Sequence, residues 1–304
     1  MSTPPQPSRP APSRPGQSPR KAPARVAVVG AGRMGSGIAH AFLLAGSTVQ
    51  IVESDAGAAE RGRSAVAKAL QASVDRGKLD GPVEHTQRRL EVRTDIAALG
   101  QVELAVEAVP EDPALKADVL ARLAAAAGPE AVLASNTSSL SIDELAAAVP
   151  APDRLLGLHF FNPVPASTLV EVVAGTATDP AVVTAAQQWV TALGKTAVTV
   201  RDSPGFASSR LGVLLGLEAI RMLEAGVASA EDIDAAMTLG YGHPMGPLRL
   251  TDLVGLDVRL GIAEYLAGKL GERFTPPQLL RDKVSRGELG RKSGRGFFEW
   301  EDQA

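Results

Sequence analysis

Arg25-Val26-Ala27-Val28-Val29-Gly30-Ala31-Gly32-Arg33-Met34-Gly35-Ser36-Gly37, running on into Ile38-Ala39-His40-Ala41-Phe42-Leu43-Leu44-Ala45-Gly46, is the stretch that decides the fold. A short β-branched run meets a Gly-rich turn and then a helical pattern. Glycines at 30, 32 and 35 have the spacing of a dinucleotide fingerprint. Gly30 allows a tight turn, Gly32 lets the backbone approach a pyrophosphate, and Gly35 lets helix and strand pack closely. The helix N-terminus then presents unpaired N–H groups to phosphate. Such a fingerprint is weak alone. Here Thr48-Val49-Gln50-Ile51-Val52 follows as a second strand and ends in Glu53. An acidic group there can bind both ribose hydroxyls of an adenosine and repels a 2′-phosphate, so the expected cofactor is NAD rather than NADP.

The alternation continues outward. Helix is expected from about 56 to 78, strand over 102–109, helix over 112–127 and strand over 131–135. The polar turn Asn136-Thr137-Ser138-Ser139 leads into a helix over 142–148. Strands at 155–159 and 169–173, a helix over 180–193 and a strand over 196–200 complete the series. Strands alternating with helices predict a Rossmann-like, doubly wound, mostly parallel sheet in the α/β class. Ligands of such sheets lie beyond the strand C-termini, where Gly32, Glu53, Ser138 and His159 all fall.

His159 closes the apolar run Leu155-Leu156-Gly157-Leu158, and Glu171 sits inside Leu169-Val170-Glu171-Val172-Val173. A lone carboxylate in a buried strand needs a partner. If the two strands are neighbours, His159 is that partner, and a carboxylate-oriented imidazole is a general acid/base. A core histidine satisfied by packing is the plainer reading of an isolated His; the fingerprint upstream favours the catalytic one. His40, on the first helix, reads as packing, His85 as solvated in a Gly-Pro-flanked link, and His243 as a turn residue between helices. No His/Asp/Glu group has metal-ligand spacing, so no metal is expected.

After Asp202-Ser203-Pro204-Gly205-Phe206 the strand signals stop. Segments 210–225, 230–239, 250–270 and 277–286 read as helices, giving an all-helical region from residue 203 to 304 behind an α/β domain over 24–202. Residues 1–23, crowded with Pro, Ser and Arg and without an acidic residue, read as a disordered tail. The net charge of -3 over 304 residues gives no reason to expect nucleic acid. The absence of cysteine excludes thiolate chemistry, and no apolar stretch approaches the roughly 18 residues of a membrane helix. The expected location is the cytoplasm.

With these pieces in place the chain resembles the L-3-hydroxyacyl-CoA dehydrogenase family, over about residues 25 to 300. The matching motifs are the Gly30-to-Ala39 turn, Val106-Glu107-Ala108-Val109-Pro110-Glu111, Ser135-Asn136-Thr137-Ser138-Ser139-Leu140, His159-Phe160-Phe161-Asn162-Pro163, Asp202-Ser203-Pro204-Gly205-Phe206, Tyr241-Gly242-His243-Pro244-Met245-Gly246-Pro247 and Lys292-Ser293-Gly294-Arg295-Gly296-Phe297. The resemblance implies NAD-dependent interconversion of a short-chain (3S)-3-hydroxyacyl-CoA and its 3-oxoacyl-CoA. It implies His159 as acid/base, Glu171 as its orienting carboxylate, and Ser138 as hydrogen-bonded to the substrate oxygen at C3. Glu111, Lys116, Ser138, Asn162 and Lys292 would line the NAD site with Gly30, Ala31, Gly32, Arg33, Met34, Gly35 and Glu53. Lys116 and Lys292 themselves look like ordinary surface lysines. A homodimer through the helical region is implied too.

The chain also departs from the family pattern. Ser209 stands where an active-site Asn is usual, and its hydroxyl reaches less far than an amide. Ala69 stands where some relatives carry Ser. Arg76 replaces a usual Lys at a position linked to coenzyme A, and still offers a cation to phosphate. Two rivals share the His–Glu pair or the scaffold: a sibling dehydrogenase of a hydroxy acid without coenzyme A, of carnitine or gulonate type, and a non-catalytic NAD-binding protein. A 6-phosphogluconate-type enzyme would be expected to use a catalytic Lys instead.

Overall fold

In the computed structural model, residues 21–79 and 81–300 are described. The expected tail lies, over residues 1–20, outside the described residues, as do 301–304. The chain begins with β1 (Arg25–Val29), α1 (Arg33–Leu44), β2 (Thr48–Val52), α2 (Ala56–Asp75), α3 (Val83–Gln87) and β3 (Leu90–Arg93). It continues through β4 (Leu104–Glu107), α4 (Pro113–Ala126), β5 (Val132–Ser135), α5 (Ile142–Ala146), β6 (Leu155–Phe160), β7 (Leu169–Ala174), α6 (Pro180–Ala192) and β8 (Thr196–Arg201). These strands form one sheet in the order β3-β2-β1-β4-β5-β6-β7-β8. All neighbours pair in parallel except β6 and β7, which are antiparallel.

The period of two along β1 builds a core on each face. Val26 and Val28 pack with Ile38 and Phe42 of α1, whereas Ala27 and Val29 pack with Val119 and Leu123 of α4. Gly35 sets the approach of α1: a Cβ there would lie 1.7 Å from the Gly30 carbonyl oxygen. Gly30 itself has φ +94° and would meet Ala108 O at 2.7 Å. Gly35→Ala should therefore destabilise the protein by about 3 kcal/mol in urea unfolding, the upper range for overpacking a core. A loss under about 1 kcal/mol would mean that α1 re-seats freely.

The remaining elements are helices: α7 (Ser208–Glu224), α8 (Ala230–Gly240), α9 (Pro247–Val254), α10 (Leu256–Leu270) and α11 (Gln278–Ser285). They enclose a third core around Leu217, Ile220, Leu256, Ala263, Leu266 and Phe274. Here the sequence expectation needs correction. The single helix expected over 250–270 is two helices, broken at Gly255, whose φ of +107° no helix tolerates. Pro247 opens the first of them, at a position where its missing N–H costs nothing. Beyond α11, isolated bridges join Gly290 to Arg295 and Arg295 to Glu299 within this otherwise helical region. The Gly-Pro link around His85 holds α3 and leads into the short edge strand β3. No helix among the described residues is long and apolar enough to cross a membrane.

Candidate active site

Parallel pairing brings the ends of β1, β2, β4, β5 and β6 to one edge, with Val29, Glu107 and Ser135 in line across the sheet. Gly157 of β6 pairs with Ser135, so His159 stands two residues beyond that line. At the β1 corner, α1 starts with no side-chain cap and no acidic residue in its first turn, which leaves its N-terminus to an external anion. A Cβ on Gly32 would meet nothing within 4 Å. Nothing in the chain itself therefore demands glycine there, and a close ligand would. Glu53 accepts from the N–H of Ala31 and from Ser54 N at 3.1 Å, so it ties the end of β2 to the Gly-rich turn. Arg33 is exposed beside it and Met34 half-buried. These residues fit a dinucleotide. Wild-type protein is expected to favour NADH over NADPH by roughly 10²-fold, the scale of an unrelieved like-charge contact, and Glu53→Ala should erase most of that. Equal use of both cofactors by the wild type would refute the role given to Glu53.

Beside this corner lies a network that sequence reading largely missed. Glu107 is 0 % exposed and Lys116 1 %, and they pair at 2.8 Å. Lys116 is thus no surface lysine. Its Nζ also donates to Val109 O at 3.1 Å and lies 3.3 Å from Glu111 Oε2. Glu107 accepts in addition from Val109 N at 2.7 Å and Ser135 Oγ at 2.5 Å. A buried ion pair with its remaining lone pairs filled is tolerable; one broken by mutation is not. The first of these bonds also turns the chain sharply, which ends β4 at Glu107 short of the expected 109.

Glu111 gathers the next turn. Its Oε1 accepts from Thr137 Oγ1 at 2.6 Å, Ser138 N at 2.9 Å, Ser138 Oγ at 3.1 Å, Ser139 N at 3.2 Å and Ser139 Oγ at 3.3 Å. Burial alone would push its carboxyl up; the Lys116 charge and these donors outweigh burial and hold it below the usual carboxylate value. Ser138 thereby directs its one hydroxyl proton to Glu111. Asn136 Oδ1 accepts from Phe160 N at 2.9 Å, clamping this turn to β6.

His159 and Glu171 face each other directly across the antiparallel β6–β7 ladder. Nδ1 of His159 lies 2.8 Å from Glu171 Oε2, and the two residues are 6 % and 1 % exposed. Glu171 also accepts from Ala207 N at 3.1 Å, Ser208 N at 2.8 Å and Ser208 Oγ at 2.5 Å. The carboxylate thus caps the N-terminus of α7, where the helix dipole favours negative charge. Burial pushes the Glu171 carboxyl up, but the His159 and Ser208 bonds prevail and keep it below its ordinary value. An ionised carboxylate only accepts, so Nδ1 carries the proton and Nε2 of neutral His159 has a lone pair. The rings of Phe161 and Phe206 flank the imidazole at 4.3 and 5.9 Å between centroids.

Other expected residues fall differently. Ser209, next to Ser208, makes no side-chain hydrogen bond among the described residues. Asn162 is exposed just past β6, and Arg76 is exposed at the C-cap of α2. Lys292 pairs with Asp257 of α10 at 2.6 Å. His40 is buried against Ser73 Oγ at 2.9 Å, whereas His85 and His243 are exposed.

Comparison with known proteins supplies two family-model matches. The 3-hydroxyacyl-CoA dehydrogenase NAD binding domain matches residues 25–203, and the C-terminal domain of the same family matches 205–300. A 3-hydroxybutyryl-CoA dehydrogenase of Mycobacterium tuberculosis is 45% identical over 280 residues, covering 91% of this chain and 98% of that one. A 3-hydroxyadipyl-CoA dehydrogenase of Escherichia coli is 41% identical over 278 residues, covering 90% of this chain and 58% of that one. The crystal structure of an (S)-3-hydroxybutyryl-CoA dehydrogenase from Ralstonia eutropha superposes with a TM-score of 0.87 at 37% identity, covering 92% of this chain and 100% of that one.

Proposed function

The chain belongs to the 3-hydroxyacyl-CoA dehydrogenase family, and from that premise we propose which of its residues carry the reaction. The protein is an NAD-dependent oxidoreductase that interconverts (3S)-3-hydroxyacyl-CoA and 3-oxoacyl-CoA. Short acyl chains, 3-hydroxybutyryl-CoA among them, are the proposed substrates.

The chemistry that NAD supplies when bound is acceptance of a hydride from the substrate carbon. In oxidation, Nε2 of His159 takes the proton of the C3 hydroxyl, and Glu171 stabilises the resulting imidazolium. In reduction, the protonated ring returns that proton to the forming alkoxide. Ser208 and the first N–H groups of α7 hold Glu171 ionised and aimed at Nδ1. Ser138, whose hydroxyl donates to Glu111 at 3.1 Å, donates to the C3 oxygen by rotating off Glu111. The Gly30–Gly35 turn and Glu53 bind the cofactor, with Lys116 and Glu111 fixing the Thr137–Ser139 turn beside it. Asn162 and Lys292 complete the proposed cofactor site, and Arg76 and Ser209 the substrate site. The single observation that carries this reading is the His159–Glu171 pair at the same sheet edge as the Gly-rich turn.

The test is NADH oxidation with acetoacetyl-CoA beside free acetoacetate. Turnover that requires the thioester supports the proposal. Turnover of the free acid alone would move the enzyme to the class without coenzyme A.

We further propose a homodimer through the helical region, in the cytoplasm. Leu211, Leu214, Leu239, Tyr241 and Val258, all on or beside α7, α8 and α10, are exposed, and so much apolar surface on one region suits a second copy. Leu211→Asp combined with Leu214→Asp should yield monomers in light scattering; an unchanged mass would displace the interface from α7.

A further inference from the structure

Phe206 holds its backbone in a conformation that suits glycine. Its φ is +52°, and among the described residues it is the only non-glycine with a positive φ. That region brings Cβ too close to the following carbonyl, a cost that glycine escapes. The residue before it, Gly205, is already left-handed at φ +74°. A second glycine would complete the same turn freely, so the strain points to a use for the phenyl ring where this backbone places it. The ring is 4 % exposed and belongs to the core on the α4 face of the sheet, with Ile142 and Val173. Filling that core accounts for the burial but not for the backbone. The ring also lies 5.9 Å from the imidazole of His159, centroid to centroid, with 54° between the planes. Phe161 stands at 4.3 Å and 41°. Both rings are within the distance at which an aromatic face attracts a cation.

The backbone of Phe206 acts on the same imidazole through Glu171. Phe206 N donates to Ser203 O at 2.8 Å and Arg210 N to Gly205 O at 2.8 Å, which fixes the turn. Ala207 follows in a right-handed conformation, at φ -97° and ψ -51°. A left-handed residue followed by a right-handed one makes successive N–H groups converge, a cradle for an anion. The N–H groups of Ala207 and Ser208 converge on Oε1 of Glu171 at 3.1 and 2.8 Å. Oε2 is left to His159 Nδ1 and Ser208 Oγ. With a negative φ at Phe206, the chain beyond it would swing these two amides off the carboxylate.

We propose that Phe206 is a positioning residue for the proton transfer: its left-handed backbone aims the two amides that hold Glu171, and its ring holds the imidazole that Glu171 orients. This rests on His159 as the acid/base, the reading given above. In oxidation the proton of the C3 hydroxyl passes to Nε2, and the imidazolium so formed is a cation with aromatic faces and a carboxylate around it. In reduction the same proton leaves from the same place. Phe206 itself takes up no proton and no electron.

The test is a pair of substitutions that both remove the ring and differ in the backbone they accept. Phe206→Gly keeps the left-handed turn freely, and Phe206→Ala does not. Turnover of acetoacetyl-CoA per mole of folded enzyme is expected to fall about tenfold in Phe206→Gly, the scale of one cation–aromatic contact. It should fall about tenfold further in Phe206→Ala, with KM and NADH affinity near wild type in both. In protein labelled with ¹⁵N-histidine, the neutral ring of His159 should keep its proton on Nδ1 in Phe206→Gly and divide it between the two nitrogens in Phe206→Ala. A residue that only fills the core would leave the folded variants equal in kcat. Phe206→Ala within about twofold of wild type, or at least as active as Phe206→Gly, overturns the proposal. So does a wild-type kcat in Phe206→Gly, or an unchanged His159 ring in Phe206→Ala. If the small variants do not fold, Phe206→Asn and Phe206→Val replace them: Asn accepts the left-handed backbone, whereas Val is the better core residue. Asn above Val in kcat sustains the proposal, and Val at or above Asn ends it. Failure of the reaction assignment looks different: the wild type would not oxidise NADH with acetoacetyl-CoA, and the His159 ring nitrogens in the variants would still decide for or against Phe206.

Discussion

His159→Ala is expected to lower turnover of acetoacetyl-CoA by about 10³- to 10⁴-fold, the upper range for losing a positioned acid/base group. NADH affinity, read by fluorescence titration, should change little, because the Gly30–Gly35 turn, Glu53 and the Glu111-bound turn do not depend on the imidazole. The loss should appear in kcat and kcat/KM alike, the signature of an interaction made in the transition state. The ring also fills space between Phe161 and Phe206, so His159→Gln, closer in size, is the companion variant. A His159→Ala enzyme that keeps a tenth of wild-type turnover would remove the residue from the chemistry.

The second large effect belongs to Glu171→Gln. The carboxylate accepts from four donors: His159 Nδ1, Ala207 N, Ser208 N and Ser208 Oγ. A Gln side chain has one accepting oxygen. If that oxygen keeps the two α7 amides, its NH₂ group faces His159 and donates to Nδ1. The imidazole then carries its proton on Nε2, the nitrogen that must receive the substrate proton. Turnover should fall about 10²- to 10⁴-fold with the fold intact, as when an orienting carboxylate is lost from a His-based site. The pH dependence of stability gives an independent check. The Glu171 carboxyl is held below its ordinary value, so its contribution is fully present above the unfolded carboxyl value of 4.5 and is lost as pH falls through the lower, folded value. The difference in urea unfolding between wild type and Glu171→Gln should not shrink as pH falls from 8 to about 5, and should shrink only below that. A difference that already shrinks between pH 7 and 6 would contradict a depressed Glu171.

The order of elements from β1 to β8 was largely legible, because each strand is a short apolar run and each long helix has its own period. β3 escaped notice: it is four residues at a sheet edge, and Glu91 and Arg93 alternate with its apolar residues. The break at Gly255 escaped too, since a single glycine in an apolar run reads as tolerated helix and only its φ marks the corner. In the site, His159 and Glu171 were visible as lone ionisable groups in apolar strands. Glu107 carries the same signal in Val106-Glu107-Ala108-Val109, and the same reasoning would have found it. Its partner could not be found so simply, because Lys116 sits nine residues on in a helix whose neighbours Asp118 and Arg122 face water. Ser208 carries no signal of its own in the sequence, because whether it meets Glu171 depends on where α7 starts. Lys292 lies on Asp257, and no local pattern in the sequence foretells that pairing.

The central claim, that His159 offers an unprotonated Nε2 because Glu171 holds the proton on Nδ1, is tested most directly by the nitrogen shifts of the histidine ring. Protein labelled with ¹⁵N-histidine, with the His159 signals assigned by their loss in His159→Gln, should show a protonated Nδ1 and a bare Nε2 in the neutral ring. In Glu171→Gln the pattern should invert. A neutral wild-type His159 with its proton on Nε2 would contradict the account, because that nitrogen could not take the substrate proton.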